Sequence, residues 1–145
     1  MKKGFLAATI ISLSCSSALL AHEHHECGQT PLHGYMVDIK TEMRAMSSAV
    51  KEGDNETASN HVESIIQYFE KSRNEMPYLF KEQGLKGSQL ANNTSQYQKI
   101  IDDTIHVLKN LDMALSSGNS SDVGKWLGAL GNQRNQGHGS FKSNC

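Results

Sequence analysis

Proline is scarce in this 145-residue chain, cysteine nearly so, and neither sign of charge dominates. The two prolines stand at positions 31 and 77, so little interrupts helix over the long tracts between and after them. Strand-like alternation is missing, as is any internal repeat, which leaves an all-α chain. The formal net charge is −1 at pH 7, with no basic stripe of the kind a nucleic-acid partner needs. No second long apolar run follows the N-terminal one, so the processed chain is expected to be soluble and off the membrane.

What is present begins with an export signal. Met1-Lys2-Lys3, an apolar run over residues 5–11 and small residues up to Ala21 describe a secretory signal peptide over residues 1–21, cleaved after Ala21 or, alternatively, Ala18. Ser12, Ser14, Ser16 and Ser17 make the segment too short and polar for a stable span. Cys15 would suggest a lipoprotein, but Ser12 stands where that signal has an aliphatic residue. Removal leaves roughly 124 residues, enough for one domain with a single modest core. Residues 22–30 form a His-rich tail and residues 31–145 the expected bundle.

Four helical segments follow. The first opens at Thr30-Pro31, a side-chain cap followed by proline where its missing N–H costs nothing. Leu32, Met36, Ile39, Met43, Met46 and Val50 recur at spacings of four and three, a bundle seam that Gly53 stops. Asp54 or Asn55 caps the second segment, with Val62, Ile65, Ile66, Phe69 and Met76 inward and Pro77 at its end. A loop of about eighteen residues is expected next, through Gly84, Gly87 and Asn92-Asn93-Thr94. Ser95 and Gln98 have the spacing of a capping box for the third segment, whose stripe runs from Tyr97 and Ile101 through Ile105, Leu108 and Leu111 to Leu115. After Gly118, Ser120 or Ser121 caps the fourth, with Val123, Leu127, Leu130, Arg134, His138 and Phe141 inward. Short turns favour an antiparallel, up-down-up-down four-helix bundle.

The fourth segment is unusually rich in glycine, each residue costing about 0.5–1 kcal/mol relative to alanine inside a helix. Gly124, Gly128 and Gly131 share a face and are expected to let a neighbour approach closely, while Gly137 and Gly139 flank His138, where a flat, bulky ligand would press on the backbone. A weak, frayed helix is the plainer reading, and both imply a loose ligand-free form.

In this topology the first segment starts where the fourth ends. Met36 stands roughly 7–8 Å from that start and His138 roughly 6 Å from that end, at about 1.5 Å per residue, so the two are level. Met43 and Met46 lie deeper, His106 is too far into the third segment, and His61 opens the second at the opposite end. His33, one turn nearer the mouth, competes with Met36. Taken singly, a seam methionine is usually core filler and a histidine near a helix C-terminus a favourable charge. Level, inward and opposite, thioether and imidazole make a candidate pair of axial ligands for a haem iron.

Leu32-x-x-x-Met36-x-x-Ile39, with Arg134-Asn135-x-x-His138-x-x-Phe141-Lys142, resembles the soluble cytochrome b562 family over roughly residues 31–142. The likeness is strong in the C-terminal motif, fair in the first helix and at Gly118, and weak between. It implies a periplasmic bundle holding one non-covalent b-type haem (protohaem IX) per chain, with Met36 and His138 as axial ligands. It also implies a haem face lined from the third helix, for which Tyr97 and Ile101 are the counterparts; the aliphatic Ile101 departs from the family's aromatic pattern. Covalent attachment would need Cys-x-x-Cys-His, and Arg134 and Gly137 occupy the cysteine positions. Arg134 is placed either to pair with a haem propionate or to stay solvated.

With both axial positions filled by protein, no site is open for oxygen or substrate, and methionine–histidine ligation raises the reduction potential. The expected function is single-electron transfer by a monomer that meets unidentified redox partner proteins, not enzymatic catalysis. The tail His22-Glu23-His24-His25-Glu26-Cys27 carries zinc and copper ligand types, so a haem-free bundle acting as a metal-binding or interaction module is the alternative; a solvated tail is the plainer reading. Cys27 and Cys145, each a few residues outside a helix at the mouth, are expected to form a disulfide, with free thiols or intermolecular pairing as alternatives.

Overall fold

Thr30 caps the first helix as expected: its Oγ1 accepts the His33 backbone N–H at 3.2 Å, with Pro31 next in the chain. The helix, α1 (Pro31–Glu52), ends at Gly53, whose φ of 77° lets its N–H turn back to Ala49 and Val50. Asp54 caps α2 (Asn55–Ser72) by accepting the Thr57 N–H at 3.0 Å, a bond that holds its carboxyl below the usual range. A short α3 (Tyr78–Glu82) precedes α4 (Gly87–Ser116) and α5 (Ser120–Phe141). This computed structural model describes residues 29–143, and among them there is no strand. The signal segment, the His-rich tail through residue 28, Cys27 and Cys145 lie outside the described residues.

The main core is built from the inward stripes of the four long helices. Met46, Val62, Ile65, Leu108, Leu111 and Leu115 are almost wholly excluded from water, and Met36 and Met43 pack on this core while half-buried. A second cluster at one end joins Phe80, Tyr97 and Ile101 to Leu32, Phe69 and Phe141. It therefore gathers the first turn of α1, the last turn of α2, the first half of α4 and the last turn of α5.

Four expectations are corrected. The second helix stops at Ser72, not Met76, which is 53% exposed. Its end is fixed by Tyr97, whose hydroxyl donates to the Ser72 carbonyl at 2.7 Å, while the Glu75 N–H closes a turn onto the same oxygen. The long loop is largely helix: α3 fills part of it, and α4 begins eight residues before Ser95, at Gly87, with no side-chain cap. Asn92-Asn93-Thr94 lies within α4, with Asn92 exposed and Asn93 and Thr94 half-buried, and the Asn93 amide donates to the Gln89 carbonyl. Asn119, rather than Ser120 or Ser121, caps α5 by accepting the Asp122 N–H. Finally, a Cβ on Gly124, Gly128 or Gly131 would meet nothing within 4 Å, so no neighbour approaches closely there.

Close packing joins α1 to α2, α2 to α4, and α4 to α5. The remaining side, between α1 and α5, is not closed in the same way. At the end away from the second cluster it opens into a cleft of about 380 Å³ lined by Val50 and Gly53 on one wall and Gly124 and Leu127 on the other.

Candidate functional site

That cleft fixes which stripe of each helix faces the open side. On α1, Val50, Met43 and Met36 follow one another at intervals of seven, two helical turns each. On α5, Gly124, Gly131 and His138 do the same. Val50 and Gly124 line the cleft together, so both stripes run along the open side, and both reach the opposite end after about 21 Å. There Leu32 and Phe141 meet the second cluster. Met36 is one turn inside Leu32, and His138 one turn inside Phe141. The sulfur-bearing and imidazole-bearing residues are thus at one level of the bundle, on its loosely packed side.

Their surroundings differ. Met36 is half-buried against the main core. Arg134 and His138 are solvent-exposed, so the buried stripe of α5 breaks after Leu130 and resumes at half-buried Phe141. The imidazole makes no hydrogen bond among the described residues. Although His138 is exposed overall, partial burial of the ring is the main influence lowering its pKa below 6.5, and the charges of Arg134 and Lys142 add to it. Neutral imidazole, with a free lone pair, is the form that binds a metal.

Tyr97 and Ile101 are 4% and 3% exposed, at the floor of the mouth. Burial drives the Tyr97 phenol strongly upward, helped by the negative charge of Glu75, so it remains a neutral donor to Ser72. The Phe141 ring packs edge-on against Tyr97 and Phe80, with centroids 5.5 and 5.8 Å away. The structure therefore brings Tyr97 and Ile101 into the end that Met36 and His138 approach from the side. His33 is exposed and lies seven residues before Lys40, on an outer stripe rather than that of Met36.

Phe80, 2% exposed, lies in the stretch where the sequence predicts a loop. The signal for it was Pro77 followed by Tyr78-Leu79-Phe80, an N-terminal punctuation before apolar residues. Gly137 is expected where a ligand would press on the backbone; instead a Cβ there would meet Ile100 Cγ2 at 3.5 Å, an ordinary contact with α4.

A search of curated proteins and a search of solved structures each returned no significant match. The family model for cytochrome b562 matches residues 31–142, from the first turn of α1 to just past α5. The chain belongs to the cytochrome b562 family, a family of haem-binding electron carriers rather than of enzymes.

Proposed function

We propose that this protein is a periplasmic electron carrier that holds one non-covalent b-type haem at the Met36–His138 end of its bundle, with those residues as axial ligands and the helices running up-down-up-down. One observation carries the reading: the two seven-residue stripes along the open α1–α5 side bring a thioether and a neutral imidazole to the same level.

The residues fit the group. Thioether and imidazole are a donor pair suited to haem iron. The α5 wall beside them has no side chain at Gly131, and a Cβ there would meet nothing within 4 Å. Tyr97, Ile101 and Phe141 give the mouth an apolar lining. Bound haem supplies one-electron cycling between ferrous and ferric iron. Met36 and His138 would hold the iron, which would keep water and substrate off it, and their fixed helices would limit reorganisation. Met36 is favoured over His33 because it shares the stripe and the core packing, whereas His33 stands outside both. Arg134, exposed one turn from His138, would either pair with a propionate or stay solvated. The basic, apolar, small-residue order of residues 1–21 supports export.

Haemin titration tests this. Absorption should saturate at one haem per chain and give sharp low-spin bands on reduction, and acid–butanone should then extract the haem. A chain that takes up no haemin overturns the proposal and promotes the haem-free, metal-binding alternative.

A further inference from the structure

Charge on α1 is sorted by flank. Glu42 pairs with His61 of α2 (Nδ1–Oε2 2.6 Å), and Tyr35 packs against Tyr68 of α2, so that flank faces α2. Lys40, Arg44 and Lys51 lie roughly 160–180° around the axis from Glu42, on the flank beside the open side. Arg134 of α5 and Lys142, just past the end of that helix, stand four residues to either side of His138. All five are exposed, and none of their side chains makes an ion pair or hydrogen bond among the described residues. The acids of α1 (Asp38, Glu42 and Glu52) lie on the other flank, and the one acid of α5, Asp122, faces away from this rim. A chain of net charge −1 thus collects unpaired cations along one edge.

We propose that the exposed rim of the α1–α5 side, carrying Lys40, Arg44, Lys51, Arg134 and Lys142, docks an acidic surface of a partner protein. That the partner exchanges electrons rests on the haem reading; the docking itself does not. The cations are strung over about 16 Å of α1 and about 12 Å along the last turns of α5 and the residue after it. A small anion would touch one or two of them, whereas a folded acidic surface can match the whole row. A membrane is the poorer fit, since Val37 is the only large apolar residue of this flank that is strongly exposed, at 48%. A long polyanion would be repelled wherever it left the rim, because Glu56, Glu63 and Glu70 lie along α2. Complementary charge of this sort steers encounter and fixes orientation. It would also bring the partner to the side of the bundle where Met36 and His138 stand level.

The test is an NMR titration of the ¹⁵N-labelled full chain with hexa-L-glutamate as the acidic probe, whose extended length of about 20 Å spans the row without leaving it, with and without haem. Shifts should centre on residues 40–51 and 134–142 and weaken above about 0.15 M salt. Changing K40E, R44E and K51E together should weaken binding about tenfold or more while leaving the helical signal and haem spectrum unchanged. The milder K40Q/K51Q variant serves if the triple variant misfolds, and K71E/K109E on the other side should change nothing. Shifts centred on Lys71, Lys81 or Lys109, or wild-type binding by a folded rim variant, overturn the proposal. So does tighter binding to vesicles of equal parts phosphatidylglycerol and phosphatidylcholine, which would make the rim a membrane contact. Normal haem uptake with failed docking rejects only the docking; docking without haem uptake rejects only the haem reading.

Discussion

The α2–α4 side and the α1–α5 side use the same kind of helix for different ends. Between α2 and α4, Tyr97 donates to the Ser72 carbonyl, Ser59 bonds to Asp112, and Arg73 grips Asp102 through both carboxylate oxygens at 2.7 and 3.1 Å. Between the described residues of α1 and α5 there is no hydrogen bond or ion pair, the helices are not closely packed, and a Cβ on Gly124, Gly128 or Gly131 of α5 would meet nothing within 4 Å. One side holds the fold together. The other leaves its packing to be completed, which is where a ligand-binding side should be weak.

Core truncation should break the contrast hardest. Leu108→Ala, at a fully buried position of α4, should cost about 2–5 kcal/mol in urea unfolding, whereas Met43→Ala on the open side should cost at or below the lower end of that range. Equal costs would mean that the open side is packed like the rest.

His138→Ala should show the reverse: little change in apoprotein stability, but at least about a hundredfold loss of haem affinity, since second-shell losses at metal sites alone cost 10–100-fold. Proton linkage sharpens this. The folded-state pKa of His138 lies below its ordinary value of 6.5, so the unfolded chain takes the proton more readily. Stability and haem affinity should therefore fall as pH drops below 6.5, and the stability loss should level off once pH passes the folded value. His138→Ala should remove that pH dependence from the apoprotein; an unchanged profile would assign it elsewhere.

Tyr97→Phe should cost about 0.5–1.5 kcal/mol by taking one donor from the Ser72 carbonyl, the Glu75 N–H remaining. The smallest effect is expected at Arg73. The Asp102 carboxyl is held below its ordinary value of 3.8 by its hydrogen bond to Arg73, so the pair stabilises the fold above that pH and its contribution is lost as pH falls through the lowered value. Both side chains are exposed. Arg73→Gln should therefore give a slight loss at neutral pH that disappears in acid and in high salt.

Much of this was legible in the sequence because a bundle writes its seams as spacing. Thr30-Pro31, Gly53 and Gly118 set helix ends through local backbone chemistry, which the residues themselves carry. The misreadings came where a distant group decided. Met76 fits the helical period but lies past an end fixed by a tyrosine twenty-five residues away. Ser95 and Gln98 mimic a cap in the middle of a helix, where Gln98 instead reaches the Arg73 carbonyl at 3.5 Å. Met36 and His138 could be placed level from helix lengths alone. The looseness of the side they share could not, since an apolar stripe reads the same whether or not a neighbouring helix packs against it.

Everything proposed for the open side depends on an iron held there between a thioether and an imidazole. The most direct measurement is the near-infrared magnetic circular dichroism of the ferric haem-loaded protein, where thioether-to-iron charge transfer has its own band. The band should be present in the wild type and in His33→Ala, and lost in Met36→Ala with a change to high-spin or water-ligated iron. A wild type without the band, with Met36→Ala unchanged and His33→Ala disrupted, would contradict it and make the site bis-histidine.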